Sequence, residues 1–313
     1  MLHQGTRKAK QHAVGIFIFV LGLLPLNNFA QDEKEYVFGA FRSSQLVNAQ
    51  TTEMVPPKSF EFSIRHRFGM IGTDSTVYDQ FLGLDLPANI RFAFVIPVGE
   101  KINLGLGRTK NDKTVDGEIK YLFFRQTEDN KMPVTVVVYL NAAMKTGRFP
   151  KVSEYAYYAD GVTPFRYRDT WHNFFAHRFN YCSELICSRK ISEKISFQVA
   201  PVLVYRNLVA PGFENKTLAI PVSFLFRTGL NSSLTAEYAH RFNNRPKDGH
   251  YPLSIAWERG TTGHIFQIVI SSSSELLEEE IYFKDGYNYR KGYFSLGFNL
   301  RRTFWKKKAQ QKP

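Results

Sequence analysis

Between residues 58 and 304 the chain is written in alternation. In PVTVVVYLNAAMK (133–145) the even positions Val134, Val136, Val138, Leu140, Ala142 and Met144 are all apolar. The odd positions include Thr135, Tyr139, Asn141 and Lys145. At 217–227, Leu218, Ile220, Val222, Phe224 and Phe226 oppose Thr217, Ala219, Ser223 and Arg227. At 195–206, Ile195, Phe197, Val199, Leu203 and Tyr205 oppose Ser196, Gln198 and Arg206. A period of two is the mark of a strand with one apolar and one polar face. Phe and Tyr number 28 and 16, a bias that favours strands over helices.

Twelve segments carry this pattern: 58–68, 88–97, 101–108, 115–125, 132–145, 171–188, 194–206, 217–228, 232–243, 251–259, 263–272 and 292–304. Most run about 9–14 residues, near the length a tilted strand needs to cross a bilayer. Strands of soluble proteins usually run about five or six. Long connections (69–87, 146–170, 273–291) alternate with short ones such as VGEK, LNSS and GTTG. TKNDKT is shorter than the pattern asks. An even strand number with alternating connections predicts an all-β fold: an antiparallel transmembrane β-barrel of about 12 strands, with short periplasmic turns and long extracellular loops. Closure also removes every unpaired edge, which lipid requires. A soluble sandwich or propeller is the competing architecture; segment length and the lack of a blade repeat argue against it.

The remaining chain divides around the barrel. Arg7, Lys8 and Lys10 precede an apolar run from Ala13 to Leu26, then NNFA and the polar QDEKE. This is the plan of a cleaved signal peptide over 1–30, and the expected location is the bacterial outer membrane. Residues 31–57 form a lead-in, or a plug that enters the lumen; sequence leaves both open. Residues 58–304 form the barrel and 305–313 a basic tail. Loss of Arg7, Lys8 and Lys10 leaves +10 of the formal charge of +13. In an exported protein that balance points to anionic lipid or solute rather than nucleic acid. Cys182 and Cys187, five residues apart on one extended strand, are too distant to pair and are expected as free thiols.

The tripeptide HRF recurs at 66–68, 177–179 and 240–242. Parity sends His and Phe to the lipid face, where aromatic residues form an interfacial girdle, and Arg to the lumen. The three His offer no metal site, because their strands are not neighbours. The lumen then drafts itself. Arg65, Arg67, Arg91, Arg178, Arg206 and Arg241 form a basic cluster in its outer half. The carboxylates are Glu61, Glu118, Glu184, Glu237 and Glu258, with Lys120 and Arg227 among them. An open basic vestibule would concentrate anions. Ion pairs, together with the acidic run Glu275–Glu280, would instead fill the mouth.

No GxSxG, HExxH or phosphate-loop pattern is present. Ser271–Ser274 with His264 shows no nucleophile–base–orienter arrangement. GLGLGRTK lacks the GK[ST] ending and reads as a barrel bend. No catalytic residue, cofactor or metal is expected.

The block GLGRTKNDKTVDGEIKYLFFRQ (105–126) resembles a known family, as do SFEFSIRHRFG (59–69), DQFLGLDLPANIRFAF (79–94), PVLVYRNLV (201–209), GHIFQI (263–268) and GYFSLGFNLRRTF (292–304). That family is the β-barrel family known as domain of unknown function 5777, found in Bacteroidota-type Gram-negative bacteria. It implies an outer-membrane or exported barrel and supplies no activity. The basic tail beyond Phe304 departs from barrels that end on a C-terminal aromatic. Two functions are expected from these features: a passive pore for small, anionic solutes, or a non-conducting structural or binding barrel whose long loops carry recognition. The aromatic-rich 149–169 loop suits the second. Outer-membrane lipid and the barrel-assembly machinery are the expected partners.

Overall fold

The computed structural model describes residues 35–72, 76–148, 155–157, 164–166, 174–210, 212–246 and 250–306. The leader 1–30, the tail beyond Lys306 and most of the 149–173 loop lie outside them. Fifteen strand segments are present among the described residues: β1 Ser59–Ile71, β2 Asn89–Val98, β3 Ile102–Thr109, β4 Thr114–Phe124, β5 Thr135–Lys145, β6 Tyr155–Tyr157, β7 Pro164–Arg166, β8 Phe179–Lys190, β9 Ile195–Val199, β10 Val202–Arg206, β11 Lys216–Arg227, β12 Ser232–Arg241, β13 Leu253–Thr261, β14 His264–Ser271 and β15 Phe294–Trp305. β6 and β7 pair only with each other, inside the 146–178 loop.

The other thirteen segments close on themselves. β1 pairs antiparallel with both β2 and β15, and β8 pairs with β9 and β10, which in turn pair with β11. β9 and β10 act as one strand interrupted at Ala200-Pro201, where proline has no N–H to donate to the ladder. The result is a closed 12-strand antiparallel barrel. No helix among the described residues is long and apolar enough to cross a membrane; here strands do so.

Each of the twelve predicted segments coincides with one strand of the barrel. The sixth differs at its start. Phe175–Arg178 form a 3-10 turn, and the strand begins at Phe179 rather than 171. Four connections at one end are short (99–101, 191–194, 228–231, 262–263), and 125–134 is the longest there. The chain enters and leaves the barrel at this turn end, where Lys306 N donates to Lys58 O at 2.9 Å. Gly263, at φ 87°, sits in the two-residue turn between β13 and β14, a conformation only glycine adopts freely. The opposite, loop end carries 72–88, 110–113, 146–178, 207–215, 242–252 and 272–293. In membrane barrels the end with short turns faces the periplasm.

Side-chain parity is opposite to that of a soluble protein. On β1 the inward set is Ser59, Glu61, Ser63, Arg65 and Arg67, all buried. The outward set is Phe60, Phe62, Ile64, His66 and Phe68. Phe92, Phe94, Leu106, Leu218, Ile255, Ile268 and Ile270 are among the large apolar residues left on the outer face. Such a belt is costly in water and stable in hydrocarbon. Outward rings also stack along the ladder: Phe60 on Phe304 at 4.8 Å, and Phe62 beside Phe94 at 4.8 Å. Two of the three HRF copies behave as parity predicts. His66 lies 5.1 Å from the Phe298 ring and 4.5 Å from Phe68; His240 lies 4.7 Å from Tyr251. Their arginines, Arg67 and Arg241, are fully buried within. Cys182 and Cys187 both fall on β8, on opposite faces, as free thiols.

Candidate functional site: the stoppered lumen

The segment before β1 lies inside the barrel. From Ala40 to Thr52 every residue except Arg42 is buried. It folds back as a small hairpin: Leu46 N donates to Ala49 O at 2.8 Å, and Thr51 N to Ser44 O at 2.9 Å. Its apolar side chains meet the places where the wall is itself apolar inward. Ala40, Phe41 and Leu46 pack on Leu225, and Val47 on Ala256 and Val269. Residues 40–52 lie within the lumen, whereas Tyr36 and Phe38 stay exposed.

Charged wall residues grip the hairpin tip from two sides. Glu237 on β12 accepts from three successive backbone N–H groups, Val47 (2.7 Å), Asn48 (2.9 Å to the nearer oxygen) and Ala49 (3.2 Å). Consecutive N–H groups form a concave anion-binding nest. On the other side Arg67 donates to Val47 O (3.3 Å) and Asn48 Oδ1 (3.0 Å), and also to Asn299 Oδ1 (2.9 Å). Arg301 on β15 donates to Ser43 Oγ, Gln45 Oε1 and Leu46 O. Lys120 donates to Ser44 O at 2.7 Å, and Glu61 accepts from Ser44 Oγ at 2.6 Å. Peptide groups of the stopper thus solvate cations and an anion that form no ion pair among the described residues. Leaving such groups bare would be costly.

A second element enters from the loop end. Loop 272–293 carries the short helix Glu278–Ile281, and all four of its residues are buried. Glu278 accepts from Gln50 Nε2 at 3.0 Å and Gln45 Nε2 at 3.3 Å, joining loop to stopper. Glu280 meets three cations: Arg206 (3.1 Å), Lys284 (3.1 Å) and Lys145 (3.2 Å). Burial alone pushes its carboxyl up, but the fields of Arg206, Lys284 and Lys145 override that and hold it at about 2. Glu279 has no such neighbours. Both of its oxygens lack a hydrogen-bond partner, and burial followed by the charge of Glu278 raises it well above the usual carboxylate range.

The predicted lumen residues separate into distinct roles. Arg91 pairs with Asp116 and, at 3.2 Å, with Glu118, which also accepts from Tyr139 Oη at 3.1 Å. Arg206 is bound to Glu280 and lies 4.2 Å over the Phe283 ring. Arg241 pairs with Asp285 at 2.6 Å and donates to Phe283 O. Glu258 accepts from Ser233 Oγ and Gln267 Nε2 and faces Arg42 at 3.6 Å. Glu184 has Cys182 Sγ at 3.6 Å and one oxygen without a partner. Arg227 donates to Gly39 O in the stopper. Arg65 is 1% exposed, yet none of its three nitrogens has a hydrogen-bond partner.

Arg178 is the exception. It lies on the 3-10 turn, not on the strand, and donates to Lys145 O (2.8 Å) and Gly147 O (2.6 Å) at the rim. The turn breaks the two-residue parity one position before Phe179, so Arg178 leaves the lumen cluster. The bend expected at Gly105 and Gly107 leaves no break in register, and both glycines pair continuously with β2 and β4. A Cβ at Gly107 would fall within 2.5 Å of Arg91 and Asp116, and one at Gly105 within 2.4 Å of Glu118. These glycines face the lumen and clear space for the ion network. Sequence reasoning missed Asp116, Arg301 and Asn299; inward parity on β4 and β15 was the available signal. Nothing in the sequence marked Gln45, Asn48 and Gln50 as lumen contacts. Among the described residues no group of three His, Cys, Asp or Glu is placed to hold a metal ion.

The family model described as "membrane bound beta barrel domain (DUF5777)" matches residues 41–304. None of the curated proteins matches the chain in sequence. Among solved structures, the NanC porin aligns at 6% identity over 79% of this chain and 100% of its own, with a TM-score of 0.47. The KdgM porin aligns at 6% identity over 79% and 99%, with a TM-score of 0.43. The COG4313 outer membrane channel from Pseudomonas putida F1 aligns at 10% identity over 81% and 98%, with a TM-score of 0.46. These are resemblances of fold.

Proposed function

Because the chain belongs to the membrane-bound β-barrel domain family DUF5777, we propose that it is an outer-membrane barrel kept closed by its own N-terminal hairpin and opened to small anionic solutes when that hairpin moves. The observation that carries the reading is the grip of Glu237 on three successive stopper amides, set opposite Arg67 and Arg301. The stopper is held by hydrogen bonds and by small apolar contacts with Leu225, Ala256 and Val269 rather than by a large hydrophobic core. Displacement would bare Arg65, Arg67, Arg301 and Lys120 against Glu61 and Glu237, a surface of net positive charge suited to anions. The sign of the solute follows from those cations.

A lock tests it. Thr52 and Ser188 touch through their hydroxyls across the stopper–wall boundary. With Cys182 and Cys187 replaced by Ala, a Thr52→Cys/Ser188→Cys pair should form a disulfide. In planar bilayers the oxidised full chain is expected to be silent, and reduction should restore anion-selective openings. Equal conductance in both forms would overturn the reading. A second function, a permanently closed binding barrel, is favoured by the fully occupied lumen; it is the outcome if the reduced form is silent at every voltage.

A further inference from the structure

The loop-end mouth separates its charges by origin. Wall strands spaced round the barrel contribute cations: Lys145 on β5, Arg206 on β10 and Arg241 on β12. The anions that pair with Arg206 and Arg241 come from the 272–293 loop: Glu280 for Arg206 and Asp285 for Arg241. Lys145 reaches Glu280 as well as Asp112. One carboxylate, that of Glu280, therefore sits in a cradle of three cations drawn from two wall strands and the loop itself. Arg206 and Arg241 are almost completely removed from solvent, and the loop that covers them also supplies their counter-charges, as burial of a charge demands. Deeper on β1, Arg65 shows that the loop leaves basic capacity unused: its guanidinium is buried with no partner on any nitrogen. Buried guanidinium donors with nothing to donate to mark a place for an anion or bridging water.

We propose that the mouth is a binding site for a polycarboxylate anion, and that the acidic loop occupies it as an internal stand-in, Glu280 and Asp285 taking the positions of ligand carboxylates. The inference rests on the reading of the mouth as an entrance for anions, but it concerns binding and holds whether or not the barrel conducts. Arg206 and Arg241 would then be the recognising residues, with Lys145 as a third point charge. Planar guanidinium groups favour carboxylates through paired N–H donors. Several carboxylates on one ligand are needed, because a single one would have to displace a tethered loop that presents two.

Citrate is the probe. Titration calorimetry on the detergent-solubilised full chain at low salt should give at least tenfold tighter citrate binding for Glu280→Gln/Asp285→Asn than for the unaltered chain. Adding Arg206→Gln to the double variant should abolish the gain. Binding no tighter in the double variant, or a gain that survives Arg206→Gln, overturns the proposal. If the double variant lacks the heat-shifted gel band of a folded barrel, tryptic cleavage after Lys284 in the unaltered chain decides. Citrate should accelerate it several-fold over chloride of equal ionic strength, and an unchanged rate rejects the site. Neither arm reads conductance, so a closed but citrate-binding barrel would refute the gating mechanism alone.

Discussion

Replacing Glu237 by Gln tests the stopper at its tightest point. The carboxylate accepts from the amides of Val47, Asn48 and Ala49, at 2.7, 2.9 and 3.2 Å. A hydrogen bond to a charged acceptor contributes roughly 1.5–3 kcal/mol. Summing three would overshoot, since they share one group and are not independent. Gln retains one accepting oxygen, and its amide turns donors toward the N–H of Asn48. Val47 and Ala49 keep the Oε1 acceptor, so the loss is the Asn48 contact to Oε2 together with the charge that strengthened the others, a weakening of about 2–4 kcal/mol. At about 1.4 kcal/mol per factor of ten, the displaced hairpin becomes about 30- to 700-fold more populated. Amide hydrogen exchange of the full chain reads this directly: exchange at 47–49 should quicken by that factor. Glu118→Gln is the control, because Glu118 binds Arg91 and Tyr139 rather than the hairpin; it should leave 47–49 unchanged. Unaltered protection in Glu237→Gln, or equal loss in both variants, would refute the idea that Glu237 holds the stopper.

Further consequences concern the wall and the loop. Ile268→Arg places a charge on the lipid face and should destabilise the barrel by about 2–4 kcal/mol in urea unfolding from liposomes if the residue sits near the midplane. Gly297→Ala should abolish the folded, heat-shifted band, because its Cβ would lie 2.2 Å from His66 O on the neighbouring strand. Gly107→Ala meets side-chain atoms of Arg91 and Asp116 and should cost about 1–3 kcal/mol without loss of fold. Glu280 is held at about 2 against an ordinary 4.5; its contribution is present above 4.5 and is lost as pH falls through about 2. Glu280-dependent protection of the loop, taken as the difference in hydrogen exchange from Glu280→Gln, should thus persist at pH 4 and disappear near pH 2. Glu279 is shifted the opposite way, so it destabilises the loop increasingly as pH rises above 4.5. Glu279→Gln should raise thermal stability at pH 7 and lose that advantage below pH 4.

Sequence alone determined the wall. Alternation at period two, sustained over segments long enough to cross a bilayer, leaves a chain little choice but to close, because every backbone donor must be paired in lipid. That rule is local, and it placed Arg65, Arg67, Arg91, Arg206 and Arg241 inward from parity alone. It failed at Arg178, where a single 3-10 turn takes the residue off the strand. The contents of the barrel are another matter. Nothing local distinguishes SSQLVNAQT from an ordinary polar lead-in; Val47, Asn48 and Ala49 become a carboxylate nest only when Glu237, about 190 residues later, stands opposite. Likewise sequence offered the acidic run Glu275–Glu280 as a filling for the basic mouth, but only the closed barrel decides that Glu280 meets Arg206 and Lys145 while Glu278 meets Gln45 and Gln50. Strand parity is a property of neighbouring residues, whereas compensation of buried charge depends on which distant groups the closed cylinder brings together, and only the tertiary structure decides that.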